Sequence, residues 1–488
     1  MAGASVAVVV LPQSLAYAEV AGMPPHHGLY AAALPPVVAA LFASSPYLQT
    51  GPVAITALLT FGALASLAPP ASPEYVALGL LLALVVGVVR VAMGLLRAGV
   101  VTYLMSQPML MGFTPAAAIL IVLSQVPAVL GVEGEGGVVP AAARAVAAPW
   151  AWEPVALAMA ALVILMVLGA RRLHQLAPGV PVAVALAIGY VAWAGYAPPV
   201  VGELPEGLPP LSLDLPWAAL PSLLVPGAVI ALVGFAEPAA IARAYATRER
   251  SRWDPNREFV SQGAANLAAA VSGGFPVGGS FSRSALNRLS GARTRWSGAV
   301  TGLCVLAFLP FAGLLSPLPQ AVLGAIVILA AAGLVRLGPA VALWRHSKPQ
   351  WAIAWATFAL TLVLAPHVER AVLAGTALSV AVHLWRELSI EVDAWREGTA
   401  IHLRPRGVLW FGTASGVEET MLRELAGHPE ADRLVVHVDA VGRVDLTGAL
   451  ALRNLARDAE EAGLEVCFAG EAPERSAEVL ASVVGRTC

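Results

Sequence analysis

The sequence predicts an α-helical polytopic membrane protein, two inverted repeats of seven spans each, followed by a small α/β domain. Of 488 residues, 58% are hydrophobic and 12% charged, with a mean hydropathy of +0.75, far outside the range of soluble globular chains. Apolar runs of membrane-spanning length recur up to residue 388, cut by Pro, Gly and polar residues. From residue 389 to 488, charges alternate with short β-type runs.

In chain order, about fourteen candidate spans stand near 2–19, 28–44, 53–67, 74–96, 110–130, 151–170, 179–197, 219–241, 258–273, 281–289, 294–315, 319–336, 350–365 and 368–387. The first apolar run contains Pro12, Gln13 and Tyr17 and lacks a small-residue cleavage pattern, so it is not a secretory signal. Met1 already stands at a helix edge, which leaves open a preceding cytoplasmic segment. Past the spans, strands are expected at Thr399–Leu403, Val408–Phe411, Leu434–Val438 and Leu464–Phe468. Helices are expected near Gly416–Ala426, Thr447–Glu461 and Glu474–Val484. Cys304, Cys467 and Cys488 lie far apart and suggest neither a disulfide framework nor a metal motif.

Net charge is only −2, but it is unevenly placed. Arg243, Arg248, Arg250, Arg252 and Arg257 crowd one connection, Arg171 and Arg172 another, and Arg336, Arg345 and Lys348 a third, while Glu203–Asp214 holds no Lys or Arg. Basic loops mark the cytoplasmic side. All three follow even-numbered spans, which predicts an inner-membrane protein with both termini and the C-terminal domain in the cytoplasm.

Two segments, after Gly51-Pro52 and after Gly278-Gly279-Ser280, are too short to cross about 30 Å as helix. As the third and tenth segments they give each seven-span unit one half-helix, and an odd-numbered repeat inserts its second copy upside down. Unwound backbone at membrane depth must line a cavity or be buried. Two half-helix N-termini aimed at each other therefore offer unpaired amides and partial positive charge to an anion. Gly51 and Val53 belong to the first turn, Phe281, Ser282 and Arg283 to the second. An arginine at a glycine break is too costly to be idle. Gln13 and Tyr17, four residues apart, share a helix face and are expected in the same cavity. Glu237, followed by Pro238, is an intramembrane carboxylate expected to take the coupling proton and to neutralise Arg283, with Glu19 a further relay near the outer mouth. His26 and His27 read as a solvated loop pair. No nucleophile–base arrangement, metal set, cofactor motif or nucleic-acid patch is present, so the reading is not an enzyme.

Leu11-Pro12-Gln13-Ser14-Leu15-Ala16-Tyr17-Ala18, Ala21-Gly22-Met23-Pro24-Pro25, Gly28-Leu29-Tyr30, Thr50-Gly51-Pro52 and Gly279-Ser280-Phe281-Ser282-Arg283-Ser284-Ala285 together resemble the sulfate permease family, also called solute carrier family 26. The resemblance covers the whole chain. It implies a uracil-transporter-type fold with core spans 1–4 and 8–11 moving as an elevator against gate spans 5–7 and 12–14, a cytoplasmic STAS domain, and homodimers. It also implies that Gln13, Tyr17, Phe281, Ser282 and Arg283 surround the anion. Asp445-Leu446-Thr447-Gly448 looks like the STAS motif whose hydroxyl is phosphorylated in related regulatory proteins; Thr447 reads here as a helix N-cap.

The expected function is secondary active anion transport, proton-coupled, of a dicarboxylate such as fumarate or a small inorganic anion. Open alternatives are a sodium-coupled bicarbonate or sulfate transporter, a nucleobase permease of the same fold, and a membrane-anchored STAS sensor.

Overall fold

The computed structural model describes residues 1–100, 106–134, 136–174, 177–196, 198–387, 390–471 and 479. The chain forms two compact units, Met1–Ala377 and Leu378–Cys488. In the first, the helices of the first half are α1 (Ala2–Val20), α2 (His26–Phe42), α3 (Ala54–Leu64), α4 (Pro73–Leu95), α5 (Gln107–Leu130), α6 (Val138–Ala147), α7 (Pro154–Leu173) and α8 (Gly179–Ala194). The second half runs α9 (Leu220–Arg248), α10 (Pro255–Val271), α11 (Phe281–Leu289), α12 (Trp296–Phe308), α13 (Gln320–Ala332), α14 (Gly338–His346), α15 (Lys348–Val363) and α16 (Val368–Glu387), which continues past Ala377. A helix stands at each expected span, and two short ones, α6 and α14, were not expected. Among the described residues, α1, α4, α5, Trp217–Arg248 and Trp296–Leu315 are long and apolar enough to cross a membrane by length and composition.

Contacts repeat between the halves. In one direction α4 packs on α9 and α10; in the other α12 packs on α1 and α2. Likewise α5 meets α15 while α13 meets α7. Pairing each helix with the one in the same place of the other half exchanges these contacts, as inverted repeats require. Even α6 and α14 correspond, each falling between the fifth and sixth spans of its half.

Small residues let helices approach closely within the first half and between the halves. A Cβ on Gly28 would stand 1.8 Å from the Ser14 carbonyl oxygen, and one on Gly302 would stand 2.4 Å from that of Ala33, so α1, α2 and α12 approach at backbone distance. Against expectation, His27 is not solvated: it is buried, with Nδ1 2.5 Å from the carbonyl oxygen of Gly273.

The second unit carries strands β3 (Glu391–Glu397), β4 (Ala400–Leu409), β5 (Arg433–His437), β6 (Val441–Val444) and β7 (Glu465–Ala469), with helices α17 (Phe411–Gly427) and α18 (Leu446–Glu461). The sheet order is β3-β4-β5-β7, with β6 also paired to β4. The two runs expected at 399–403 and 408–411 belong mostly to one strand. Its partner changes from β5 to β6 at an irregularity beside Gly407, just past Pro405, which has no amide to donate. Phe411 opens α17 instead of ending a strand, and β3 and β6 were not foreseen. Ile401, Leu403, Leu434, Val436, Leu452 and Phe468 form the core. Cys304 is free, but Cys467 is disulfide-bonded, which its spacing did not suggest. The helix expected at Glu474–Val484 lies, Val479 apart, outside the described residues.

Candidate functional site

Thr50–Gly51 (β1) and Gly278–Gly279 (β2) pair antiparallel, Thr50 opposite Gly279 and Gly51 opposite Gly278. Because the strands run oppositely and a half-helix starts within three residues of each, α3 and α11 leave the crossing in opposite directions with their N-termini together. Their 11 and 9 residues make helices of about 16 and 14 Å at 1.5 Å per residue, each half of a span.

Polar side chains from neighbouring helices lock this crossing. Gln262 Nε2 donates to Thr50 Oγ1 at 2.8 Å, and Asn266 brackets Val277, its Nδ2 donating to the carbonyl at 3.1 Å and its Oδ1 accepting from the amide at 3.0 Å. Buried Arg90 donates to the carbonyls of Val277, Ala231 and Ile230 at 2.9, 3.0 and 3.2 Å. A Cβ on Gly234 would meet its Nη2 at 2.6 Å. Gln49 ties β1 to α11: its amide donates to Ser284 Oγ and its carbonyl accepts from the Ser280 amide. Sequence reading passed over Arg90, Gln262 and Asn266, and quoted Ser280 and Ser284 in the motif without giving them a role. The available signal was the polar group within an apolar span, the cue already applied to Glu237 and Arg283.

Arg283 is 1% exposed, and its Nε, Nη1 and Nη2 are buried without a hydrogen-bond partner among the described residues. Beside it, a Cβ on Gly51 would lie 3.3 Å from Nη1, and Gly51 has φ +149°, a region only glycine adopts readily. Ser280 caps α11, its Oγ accepting from the Arg283 amide, and lies 3.3 Å from Ser282 Oγ. Glu237 Oε1 accepts from the Phe281 amide at 3.1 Å. The expected Glu237–Arg283 ion pair is absent among the described residues. The reason is geometric: the first free amide of α11 captures the carboxylate.

Two cavities flank α11. One of about 740 Å³ is lined by Gln13, Ser282 and Arg283, and one of about 700 Å³ by Tyr17, Val53, Glu237, Phe281 and Ser282. Gln13 and Tyr17 thus face different cavities, which meet at Ser282 and Ala285. Gly51 lines neither but backs the guanidinium, and Glu19, half-buried on α1, lines neither. In the second unit, Asp445 caps α18 through the Gly448 amide, and exposed Thr447 donates to Asp445 at 2.8 Å. Thr447 is therefore not the N-cap.

Paired broken helices joined across intertwined inverted repeats define a membrane transport protein. Comparison with known proteins gives the family. The sulfate permease family matches residues 1–357 and the STAS domain residues 392–479, and the chain belongs to the sulfate permease family. Sulfate transporter 4.1, chloroplastic, of Arabidopsis thaliana is 36% identical over 419 residues, 82% of this chain and 60% of that one. A probable sulfate transporter of Mycobacterium tuberculosis is 36% identical over 394 residues, 78% of this chain and 69% of its own. The fold matches that of the murine solute carrier 26 family member A9 anion transporter, with TM-score 0.90 at 19% identity over 99% of this chain and 86% of that one. The transmembrane domain of a cyanobacterial bicarbonate transporter matches with TM-score 0.68 at 25% identity, covering 75% and 96%.

Proposed function

We propose that the chain is a secondary active, proton-coupled anion transporter, working as a homodimer with its termini and STAS domain in the cytoplasm. Sulfate is the first candidate substrate, because the relatives at 36% identity carry that name; a dicarboxylate such as fumarate is the second. The observation that carries the reading is Arg283, a buried guanidinium with no hydrogen-bond partner among the described residues, at two facing helix N-termini. Such a group binds an anion or is left uncompensated.

The coupling follows from Glu237. Ionised, its carboxylate occupies the Phe281 amide and offsets the positive end of α11, about half a charge. Protonated, it gives up that charge and most of its strength as an acceptor, and an anion takes its place. Proton and anion then load together, and the α1–α4 and α9–α12 group carries both past α5, α7, α8, α13, α15 and α16 in an elevator movement.

The test is counterflow in proteoliposomes with labelled sulfate, fumarate, bicarbonate and chloride under imposed pH and sodium gradients. Sulfate accumulation driven by an inward proton gradient is expected, and Arg283→Ala abolishes it while leaving a folded dimer. No flux of any anion in any gradient sinks the transporter reading and leaves the sensor alternative.

A further inference from the structure

Equivalent positions in the two repeats hold α6 and α14, yet their surroundings carry opposite charge. Around α6 stand Glu133 and Glu153, with Arg144 on the helix; around α14 stand Arg336, Arg345, His346 and Lys348, and the sequence has no Asp or Glu between Glu258 and Glu369. Since the repeat fixes both helices, the fold does not require this contrast.

On α14, Ala340 is buried while Val341 and Trp344 are 54% and 52% exposed; Arg345 in its last turn is exposed, as is Lys348, which opens α15 just past the extended Ser347. Lys348 Nζ lies 5.7 Å from the Trp344 ring centroid. From Trp344 an aromatic column continues along α15 through Trp351, Trp355 and Phe358, with centroid spacings of 4.8, 6.3 and 5.3 Å. Tryptophan settles at headgroup depth, and a short helix with an apolar, basic exposed face lies in that layer. Neighbouring α13 and α15 are apolar helices of the bundle, so α14 is held at the bilayer surface by short connections at each end.

We propose that the corner between α14 and α15 binds anionic phospholipid headgroups through Arg345 and Lys348 and that this contact holds the rim of the Glu237 cavity, which Arg336 and Pro339 line. The rim clause rests on the transport reading above; the lipid clause does not. Basic residues at a membrane surface attract anionic lipid, and the charge contrast with α6 fits a lipid ligand on one leaflet.

The experiment uses the full chain in mixed micelles. Tryptophan emission is quenched with brominated phosphatidylglycerol or brominated phosphatidylcholine, with Trp344→Phe identifying the signal from that ring. The wild type is expected to be quenched at lower mole fraction by phosphatidylglycerol. An R345Q/K348Q variant is expected to lose that preference by roughly tenfold or more. Retention of the preference by R345Q/K348Q overturns the lipid site. So does quenching of the wild type that W344F leaves unchanged, as when a second copy covers α14. Sulfate counterflow in vesicles of increasing phosphatidylglycerol content tests the rim: the rate should rise in wild type and stay flat in R345Q/K348Q. A flat wild-type rate with intact lipid preference overturns the rim clause alone. Absence of flux in every lipid counts against the transport reading, and quenching still decides the lipid site.

Discussion

Under the proposed mechanism Glu237 and the anion compete for the amide of Phe281, and this contest gives the proposed coupling a sign. Anion affinity should rise as pH falls. Glu237→Gln mimics the protonated acid, so binding should become tight and pH-independent while an inward proton gradient no longer drives accumulation. Isothermal titration at two pH values, together with gradient-driven uptake, checks both halves. Gly51 should tolerate no side chain: Gly51→Ala adds a carbon 3.3 Å from Arg283 Nη1 at φ +149°, which is strain of order 1–3 kcal/mol. The expected result is a KM raised about tenfold or more with the fold intact, read by uptake and size-exclusion chromatography. Arg283 and Ser282 could be singled out in the sequence because polar atoms next to a glycine break in an apolar run have few bland explanations, and Glu237 because it is a carboxylate within an apolar span. The partner of Glu237 was not, because the amide that captures it belongs to the backbone 44 residues away.

Among elements, the two-residue strands β1 and β2 depend on side chains from α4 and α10. Arg90→Ala removes three hydrogen bonds to carbonyls, and charged bonds of this kind contribute about 1.5–3 kcal/mol each. Thermal melting of the purified variant is expected to show a loss of about 3 kcal/mol or more. In the STAS sheet, His402 Nδ1 and His437 Nε2 are 2.9 Å apart, and Trp395 stacks on both rings. Burial, then the charge of His402, pushes the His437 pKa down. Folding therefore favours neutral His437. Its stabilisation is complete above the unfolded pKa near 6.5 and lost as pH falls towards the folded value. Limited proteolysis in urea should cut residues 390–471 more readily at pH 5 than at pH 7.5, with His437→Gln narrowing the gap. Here the sequence was a poorer guide. Short β-type apolar runs located β5 and β7, whereas β3 is rich in charged residues and β6 has only four residues with two exposed, so the pairing of both is set by tertiary contact. The helices α6 and α14 were hidden because a ten-residue run resembles a loop until its apolar side is packed.

For the molecule as a whole, the repeat was legible from two half-span segments at equivalent places, but the interlocking was not, since sequence order does not say that α2 lies against α12 and α4 against α10. That interlocking bears on how the protein is made. Thr50 pairs with Gly279, which the ribosome adds about 230 residues later. At about 5–20 residues per second, the first half waits roughly 10–50 s with the polar backbone of its crossing unpaired. Lipid cannot satisfy those groups. The nascent half must therefore be sheltered by the insertion machinery or stay at the interface until its partner emerges, and a chain truncated after α8 has no stable fold to rest in. Truncation there should yield a product cleared by membrane proteases, whereas the two halves synthesised as separate chains in one cell should recover each other, as pulse–chase labelling would show.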